Sequence, residues 1–225
     1  MYGCSSGKES SKEIESRISK TKNIVNIEDE EREYITSHNI REIEKINFNF
    51  DENGNPVKGE KLSTIKYNTD GFMTETIIYN SKGNVENMFT YDYKNGRRIK
   101  TTRHKPDGND DKYYTYEYNK FGNKIKSTRY NLNQKVDKYY TYGYNDAGYL
   151  VKESWFDKSG KEEYNVEYEY DDNGQKASVE SYNPGNDLVY KYEYKYDMKG
   201  NVIEEVKYNS DGDKVGFIQY VYKYY

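Results

Sequence analysis

The chain has 225 residues and a formal net charge of −4, and hydrophobic and charged residues each make up 33% of it. Its 35 basic and 39 acidic residues are interspersed, so no basic field would attract a phosphate backbone, which argues against nucleic acid as a partner. Composition this polar is typical of disorder, but 29 tyrosines and 7 phenylalanines supply large rings for burial. The sequence therefore predicts a folded chain with little aliphatic core.

The N-terminal stretch "MYGCSS" resembles the end of a bacterial lipobox, in which the cysteine carries the lipid. The charged and apolar segments of a signal peptide are not part of this sequence, so Cys4 is either a lipidation site or an ordinary thiol. We expect lipidation at Cys4. This places the protein at a bacterial cell envelope, lipid-anchored and either surface-exposed or periplasmic, with membrane contact through the anchor alone.

Residues 1–38 are predicted to be a polar, partly helical tether that starts with the lipobox-like cysteine. Residues 5–22 are rich in Ser, Lys and Glu, and both "KEIESRISK" and "EDEEREY" are compatible with a helix. Alternation at Ile46, Phe48 and Phe50 then indicates a strand. The predicted boundary leaves residues 39–225 as a β-hairpin repeat domain.

From residue 48 onward one pattern recurs: an aromatic residue, Asn or Asp, two variable residues and glycine, as from Tyr118 to Gly122. The turn positions form two interleaved series, each with a period of 26 residues, which is typical of a repeat architecture. The series are Gly96, Gly122, Gly148, Gly174 and Gly200, and Gly108, Gln134, Gly160, Asn186 and Gly212. In the second series "NPGN" moves the glycine to Gly185, next to Asn186.

The repeat chemistry is that of a tight turn. Asn or Asp at the first position bonds the backbone two residues on, and glycine three residues later adopts the left-handed conformation that closes the loop. The segments between loops are short and rich in Tyr, Thr, Val and Ile, which favours strands. The sequence predicts an all-β fold, an antiparallel β-meander of about fourteen strands built from 26-residue double-hairpin repeats.

A four-residue loop at Asn119 to Gly122 predicts that Tyr116 faces Ile125 across the hairpin. One face of the sheet then carries the tyrosines together with Ile125, and its counterparts are Val151, Ala177 and Ile203. The other face is charged, with predicted cross-strand pairs Glu117–Lys124 and Glu169–Lys176. A single bulge would reverse this assignment.

The predicted sheet either curls to bury its tyrosines or stays a single layer, and the scarcity of aliphatic residues favours an open, twisted or coiled single sheet. The last segment, "YVYKYY", would then be an open edge, which predicts edge-to-edge self-association.

Residues 65–225 resemble the bacterial YD repeats of the Rhs type, whose units carry a Tyr-x-Tyr-Asp-x-x-Gly core. "YEYDDNGQK" and "YKYDMKGNV" match this core, while "YEYNKFGNK" and "YGYNDAGYL" have Asn in place of Asp. The resemblance implies strips of β-sheet, displayed at a cell surface or wound around a toxin. This chain has few repeats and ends within the repeat itself, so we expect no toxin-delivery role.

Catalytic and metal-binding patterns are absent from the sequence. The histidines are His38 and His104, and their spacing from Cys4 assembles no zinc cluster. The sequence has neither a Gly-x-Ser-x-Gly elbow nor a phosphate-binding glycine loop. We therefore predict no catalytic residue, no metal and no cofactor, and expect binding rather than catalysis.

Two aromatic residues depart from the repeat. Trp155 stands where the other copies have Arg129, Ser181 and Lys207, and Tyr149 stands where they have Asn or Gln. Either these rings fill a gap in the sheet, or they stack on a sugar ring or anchor a partner. The candidate ligand-binding residues are Trp155, Tyr149, Tyr142, Tyr144, Tyr168 and Tyr170.

These observations favour a non-enzymatic cell-surface lipoprotein that acts as a binding or scaffold module, with a cell-envelope or host glycan or protein as its partner. One alternative is a carbohydrate-binding protein that uses the tyrosine face and Trp155. Another is a glycan-acting enzyme, which would require an essential carboxylate.

Overall fold

The computed structural model of the chain describes residues 26–225, which form one helix and fourteen strands. Helix α1 spans Ile27–Ser37. The strands are β1 (Ile40–Phe50), β2 (Pro56–Tyr67), β3 (Met73–Tyr79), β4 (Val85–Lys94), β5 (Arg97–His104), β6 (Asp110–Tyr118), β7 (Lys124–Asn131), β8 (Val136–Tyr144), β9 (Leu150–Asp157), β10 (Glu162–Tyr170), β11 (Lys176–Tyr182), β12 (Leu188–Tyr196), β13 (Val202–Asn209) and β14 (Lys214–Tyr224). The predicted all-β antiparallel fold of fourteen strands is confirmed. Cys4 and the tether segment 5–22 lie outside the described residues.

The sheet closes into a barrel. Each strand is antiparallel to the next along the chain, and β14 pairs with β1, where Ile43 lies opposite Tyr222. The prediction of an open twisted or coiled single sheet is therefore wrong, and so is the predicted open edge at "YVYKYY". Closure pairs the backbone N–H and C=O groups of β1 and β14, which would be the edge strands of an open sheet. It also encloses the tyrosine-bearing face, which an open sheet would expose to solvent.

The turns have the predicted chemistry. In the β6–β7 loop, Asn119 Oδ1 accepts hydrogen bonds from Phe121 N (2.9 Å) and Asn123 N (3.0 Å). Gly122 has a φ of 82°, in the left-handed region. Gln134 (φ 60°) and Asn186 (φ 64°) adopt the same conformation at their places in the series, so Asn186 rather than Gly185 closes its turn.

Gln134→Gly should raise the free energy of unfolding by about 0.5–1 kcal/mol, because a residue with a side chain is strained in the left-handed backbone conformation and glycine is not. The reciprocal change Gly108→Gln, one period earlier at φ 83°, should lower it by a similar amount. A Cβ at Gly108 would meet no atom within 4 Å, so that loss would be purely conformational. Urea denaturation of both variants measures the effect; equal stabilities would contradict it.

The predicted register is wrong by one bulge. Tyr118 pairs with Lys124 and Tyr116 with Ser127, with an irregularity between them. Ile125 is consequently 40% exposed, instead of sharing the tyrosine face. Lys124 and its counterpart Lys176 lie on the inner face and are buried among tyrosines, and the predicted pairs Glu117–Lys124 and Glu169–Lys176 do not form. Glu117 pairs instead with Lys126 (3.5 Å), and Glu169 lies opposite Ser178.

Helix α1, within the range predicted as a tether, lies across one end of the barrel. Asn26 Nδ2 donates to the carbonyl of Phe121 (3.0 Å), Arg32 Nη1 donates to that of Gly96 (3.1 Å), and the Tyr34 hydroxyl bonds Asn201. These contacts reach loops from separate parts of the barrel, so α1 covers this end, hereafter the capped end. Within residues 26–225 no helix lies across the opposite end, hereafter the distal end.

The apolar core sits where α1 meets the barrel. Ile35 of α1 and Ile40 of β1 are 2% and 1% exposed, and they cluster with Ile43 and Tyr67. Gly71, in the β2–β3 loop, allows this approach, because a Cβ there would lie 2.5 Å from the Arg32 carbonyl oxygen. Elsewhere the inner wall is mainly tyrosine with polar and charged side chains.

Candidate functional site

A belt of tyrosines lines the middle of the barrel, one from each even-numbered strand from β4 to β14. Its members are Tyr91, Tyr116, Tyr142, Tyr168, Tyr194 and Tyr220. Burial raises the pKa of every belt tyrosine. Several hydroxyls donate to a side chain one strand earlier, as Tyr116 does to Thr101 (2.7 Å) and Tyr220 to Glu205 (2.6 Å). The belt is thus a hydrogen-bonded layer in place of an aliphatic core.

A second set of tyrosines, one position nearer the capped end, explains the tyrosine that ends each strand. The hydroxyl of Tyr144 donates to the carbonyl of Lys124 (2.7 Å), and that of Tyr196 donates to the carbonyl of Lys176 (2.8 Å). Each acceptor lies beside the bulge that follows a turn, where the ladder is locally disrupted. The tyrosine that ends the strand therefore stabilises the β-bulge by a hydrogen bond. This bulge is the feature that makes the observed register differ from the predicted one.

Buried charges gather beneath α1. Burial raises the pKa of Glu31, and the Arg98 charge opposes that rise. Burial alone would lower the pKa of Arg98, but Tyr93, Tyr116 and Glu28 hold it above its ordinary value. Glu31 and Arg98 line one cavity of about 20 Å³ between α1 and the wall. These groups attach the helix to the barrel and leave no room for a ligand.

Burial also lowers the pKa of Lys124 and Lys176. Lys124 Nζ lies 4.3 Å from the centroid of the Tyr142 ring, and Lys176 Nζ lies 5.2 Å from that of Tyr194. Cation–π contact with the belt thus compensates part of the lost hydration of both cations.

The inner wall of the distal end carries two sets of side chains, which overlap along the strands. Over β5 to β10 it carries closed ion pairs: Arg103–Asp111, Lys112–Asp137, Arg129–Asp137 and Lys138–Glu163. Asp137 Oδ2 lies 2.7 Å from Lys112 Nζ and 2.6 Å from Arg129 Nη2, and the two cations hold the pKa of Asp137 below its ordinary value. The charges of this first set are therefore paired.

The second set is aromatic. Six rings follow one another along the inner wall from β6 to β12, and we call them the aromatic arc. They are, in order, Tyr114, Tyr140, Trp155, Tyr164, Tyr190 and Tyr192, with successive centroid separations of 6.4, 5.5, 5.7, 6.2 and 5.1 Å. Burial raises the pKa of Tyr140, Tyr164 and Tyr192 to about 12, so these hydroxyls stay protonated at neutral pH.

The arc ends in a cavity of about 500 Å³. Its polar lining comes from Asn47 and Asn49 of β1, Tyr192 of β12 and Lys207 of β13. Its apolar lining is Leu62, Val215, Phe217 and Ile218, with Gly216. Carboxamides, an aromatic hydroxyl and an ammonium group provide both donors and acceptors for a polar ligand.

The structure separates the predicted ligand-binding residues. Trp155 lies in the aromatic arc, where its Nε1 donates to Glu153 (2.7 Å), but Tyr149 lies at the capped end against Tyr170 (4.8 Å). Six residues of extended strand, roughly 20 Å, separate the two. Tyr142 and Tyr144 line a smaller cavity of about 140 Å³ beside α1, and Tyr168 donates to Glu153 (3.2 Å).

Tyr164, Tyr190 and Lys207 were not among the residues predicted from the sequence to bind a ligand. The 26-residue period identified Lys207 as the counterpart of Trp155 in a later copy of the repeat, but gave no reason to name Lys207 as a binding residue. Aligning every inward position of the repeat would have placed all three beside Trp155.

Among the described residues, no group of His, Cys, Asp and Glu could hold a metal ion. In the same part of the chain, no helix is long and apolar enough to cross a membrane.

Comparisons with known proteins give similarity at the level of solved structures. No family model and no curated protein matches the chain. It is similar to a porin-like protein from Bacteroides uniformis, with 14% identity, a TM-score of 0.47, and coverage of 82% of this chain and 98% of that one. A DUF1329 family protein from Desulfovibrio piger (10% identity, TM-score 0.37, coverage 89% and 94%) and the LolA superfamily protein NE2245 from Nitrosomonas europaea (11%, 0.29, 86% and 90%) are also similar. Similarity this low says nothing about what the chain binds. The molecule is defined here by its own features, a closed fourteen-stranded barrel with a tyrosine interior and a helix across one end.

Proposed function

We propose that this protein is a non-enzymatic binding module of the bacterial cell envelope whose barrel binds carbohydrate at its distal end. The observation that carries the proposal is the aromatic arc, which leads along the inner wall into the cavity of about 500 Å³. Binding sites are typically concave, lined with aromatic side chains, and supplied with a few polar groups that fix orientation.

Carbohydrate suits this surface better than a purely apolar ligand. The faces of Trp and Tyr rings can cover the C–H face of a sugar, while Asn47 and Asn49 can donate to and accept from its hydroxyls. Asn47 Nδ2 donates to Asn49 Oδ1 (3.2 Å), but an apolar ligand would leave Lys207 and the remaining donors and acceptors of the carboxamides unpaired, which costs free energy in a site that excludes water.

The carboxylates at the distal end support a non-enzymatic role. Asp111, Asp137 and Glu163 are held in ion pairs, and Glu153 accepts from both Trp155 and Tyr168. A hydrolase acting on glycans typically presents two carboxylates to the sugar at a defined separation, whereas these four are held by neighbouring side chains. Anchoring through a lipid on Cys4 remains a prediction from the lipobox-like residues, as does the relation to YD repeats.

Trp155→Ala should weaken saccharide binding at least tenfold, or about 1.4 kcal/mol, because it removes the largest ring of the aromatic arc. The measurement is a screen of the full chain against neutral and acidic oligosaccharides, followed by titration calorimetry with the tightest binder. Phe156→Ala is the matched control, since Phe156 is the next residue and stacks on Tyr139 (4.8 Å) on the outer face.

Thermal unfolding of both variants separates lost binding from lost folding. Equal affinity of Trp155→Ala and Phe156→Ala would contradict a site in the arc, and a folded wild-type chain that binds no saccharide would refute the proposal itself.

A further inference from the structure

One inward position near the distal end recurs with the repeat period. Its five copies are Arg103, Arg129, Trp155, Ser181 and Lys207, each 26 residues after the last. The residue eight positions later lies across the next turn, and its copies are Asp111, Asp137, Glu163, Val189 and Val215. Each copy of the repeat therefore places these two positions next to each other, so the residues that occupy them can be compared from copy to copy.

Where the first position is arginine, the second neutralises it. Arg103 pairs with Asp111, and Arg129 Nη2 lies 2.6 Å from Asp137 Oδ2. In the last copy the cation remains, as Lys207, but the carboxylate is replaced by Val215. Lys207 and Val215 both line the cavity of about 500 Å³. The fold therefore keeps a cation at this position and omits its usual counter-ion.

No other described carboxylate takes the place of that counter-ion within ion-pair distance of Lys207. Glu205, two residues earlier and also inward, accepts from the Tyr220 hydroxyl (2.6 Å) and lies 3.6 Å from Lys45 Nζ. Its charge is therefore already compensated.

Aromatic rings hold the Lys207 ammonium in place. Its Nζ lies 5.5 Å from the centroid of the Tyr190 ring and 5.9 Å from that of Tyr192, the last two members of the aromatic arc. Cation–π attraction positions the charge but does not neutralise it. A half-buried cation with no counter-ion gains most from an anionic group of a ligand, because that group provides charge-assisted hydrogen bonds.

We infer that the cavity binds an acidic saccharide, with Lys207 bound to its carboxylate or sulfate group, Tyr192 against the sugar face, and Asn47 and Asn49 on the sugar hydroxyls. This inference rests on the proposed carbohydrate-binding function and specifies its ligand class. Lys207 is then the residue that selects acidic over neutral sugars, and the ion-paired side chains of the distal end contribute no such selection.

The test is titration calorimetry of the full chain with three oligosaccharides that share one backbone: a hexuronic acid oligomer, its carboxyl-reduced neutral form, and a sulfated derivative of the neutral form. We expect at least one acidic form to bind tenfold or more tightly than the neutral one, with an advantage that shrinks as salt rises. The preferred acidic form identifies the group as carboxylate or sulfate.

Two variants locate the effect. Lys207→Gln should remove the acidic preference while retaining neutral binding, and Val215→Asp should do the same by rebuilding the pair seen at Arg129 and Asp137. Lys195→Gln is the control for net charge, because Lys195 is exposed and pairs with Glu204 (2.6 Å) away from the cavity; it should keep the preference.

Three results would overturn the inference. The first is equal affinity of the wild-type chain for acidic and neutral forms, which leaves carbohydrate binding itself intact. The second is an acidic preference that survives in folded Lys207→Gln and Val215→Asp. The third is the absence of binding to all three oligosaccharides and to the wider screen, which refutes the proposed function as well.

Discussion

Replacing Arg98 with methionine should lower the free energy of unfolding at pH 7 by about 1–3 kcal/mol, the usual cost of leaving a buried polar or charged group without its compensating partner. Methionine keeps the volume of the side chain but not its charge. Glu31 would lose the cation that opposes its desolvation, and its remaining charged neighbours are Lys124 and the like-charged Glu28. The contact of the guanidinium with the Tyr91 ring (4.7 Å) would be lost too.

The Arg98→Met loss should grow with pH. Burial already raises the pKa of Glu31 in the folded state, and a raised folded pKa means that stability is full below the unfolded pKa and declines as pH rises through the folded one. Without Arg98 the pKa of Glu31 rises further, so the decline is larger. The variant should therefore lie closer to wild type at pH 5 than at pH 8.

Urea denaturation at pH 5, 7 and 8 measures both effects, with Arg97→Met as the matched control. Arg97 is the adjacent arginine but pairs with Asp29 (2.6 Å) at a partly exposed site, where such pairs contribute about 0–1 kcal/mol. Adding Glu31→Gln to Arg98→Met should flatten the pH dependence. A loss no larger than that of Arg97→Met would refute the electrostatic compensation of Glu31 by Arg98 beneath α1.

The local parts of this fold were predictable from the sequence. Asn119 and Gly122 determine a turn through contacts within five residues, so the spacing of such turns gave the strand number and the antiparallel order. The tyrosine face was identified as well, since side chains alternate along a strand whatever its neighbours do.

What escaped prediction depends on irregular or distant pairing. A bulge between β6 and β7, near Tyr116 and Tyr118, adds one residue on β7. This extra residue exchanges the faces on which Lys124 and Ile125 lie, and nothing in the local sequence pattern indicates it. Closure depends on β1 pairing with β14, almost the full length of the domain away. The candidate site was hard to predict for the same reasons, because Asn47 of β1 and Lys207 of β13 line one cavity only when the barrel is closed.

Ile35→Ala should lower the free energy of unfolding by about 2–5 kcal/mol, the range for truncating a buried aliphatic side chain that leaves a cavity. Ile35 is 2% exposed and is the buried residue of α1, packed with Ile40, Ile43 and Tyr67. The lost stability affects the contact between α1 and the barrel. Hydrogen exchange should therefore show the amides of α1 and the start of β1 losing protection before those of β6 to β10.

Ile125→Ala is the matched control for Ile35→Ala, since Ile125 is 40% exposed and should contribute less than about 0.5 kcal/mol. The comparison also tests the register, because the bulge-free pairing would bury Ile125 and make its truncation the costlier one. Comparable losses at the two positions would mean that α1 is a loosely attached segment. A loss confined to Ile35 would mean that the helix is part of the folded unit, since Ile35 packs in the apolar cluster that joins α1 to the barrel.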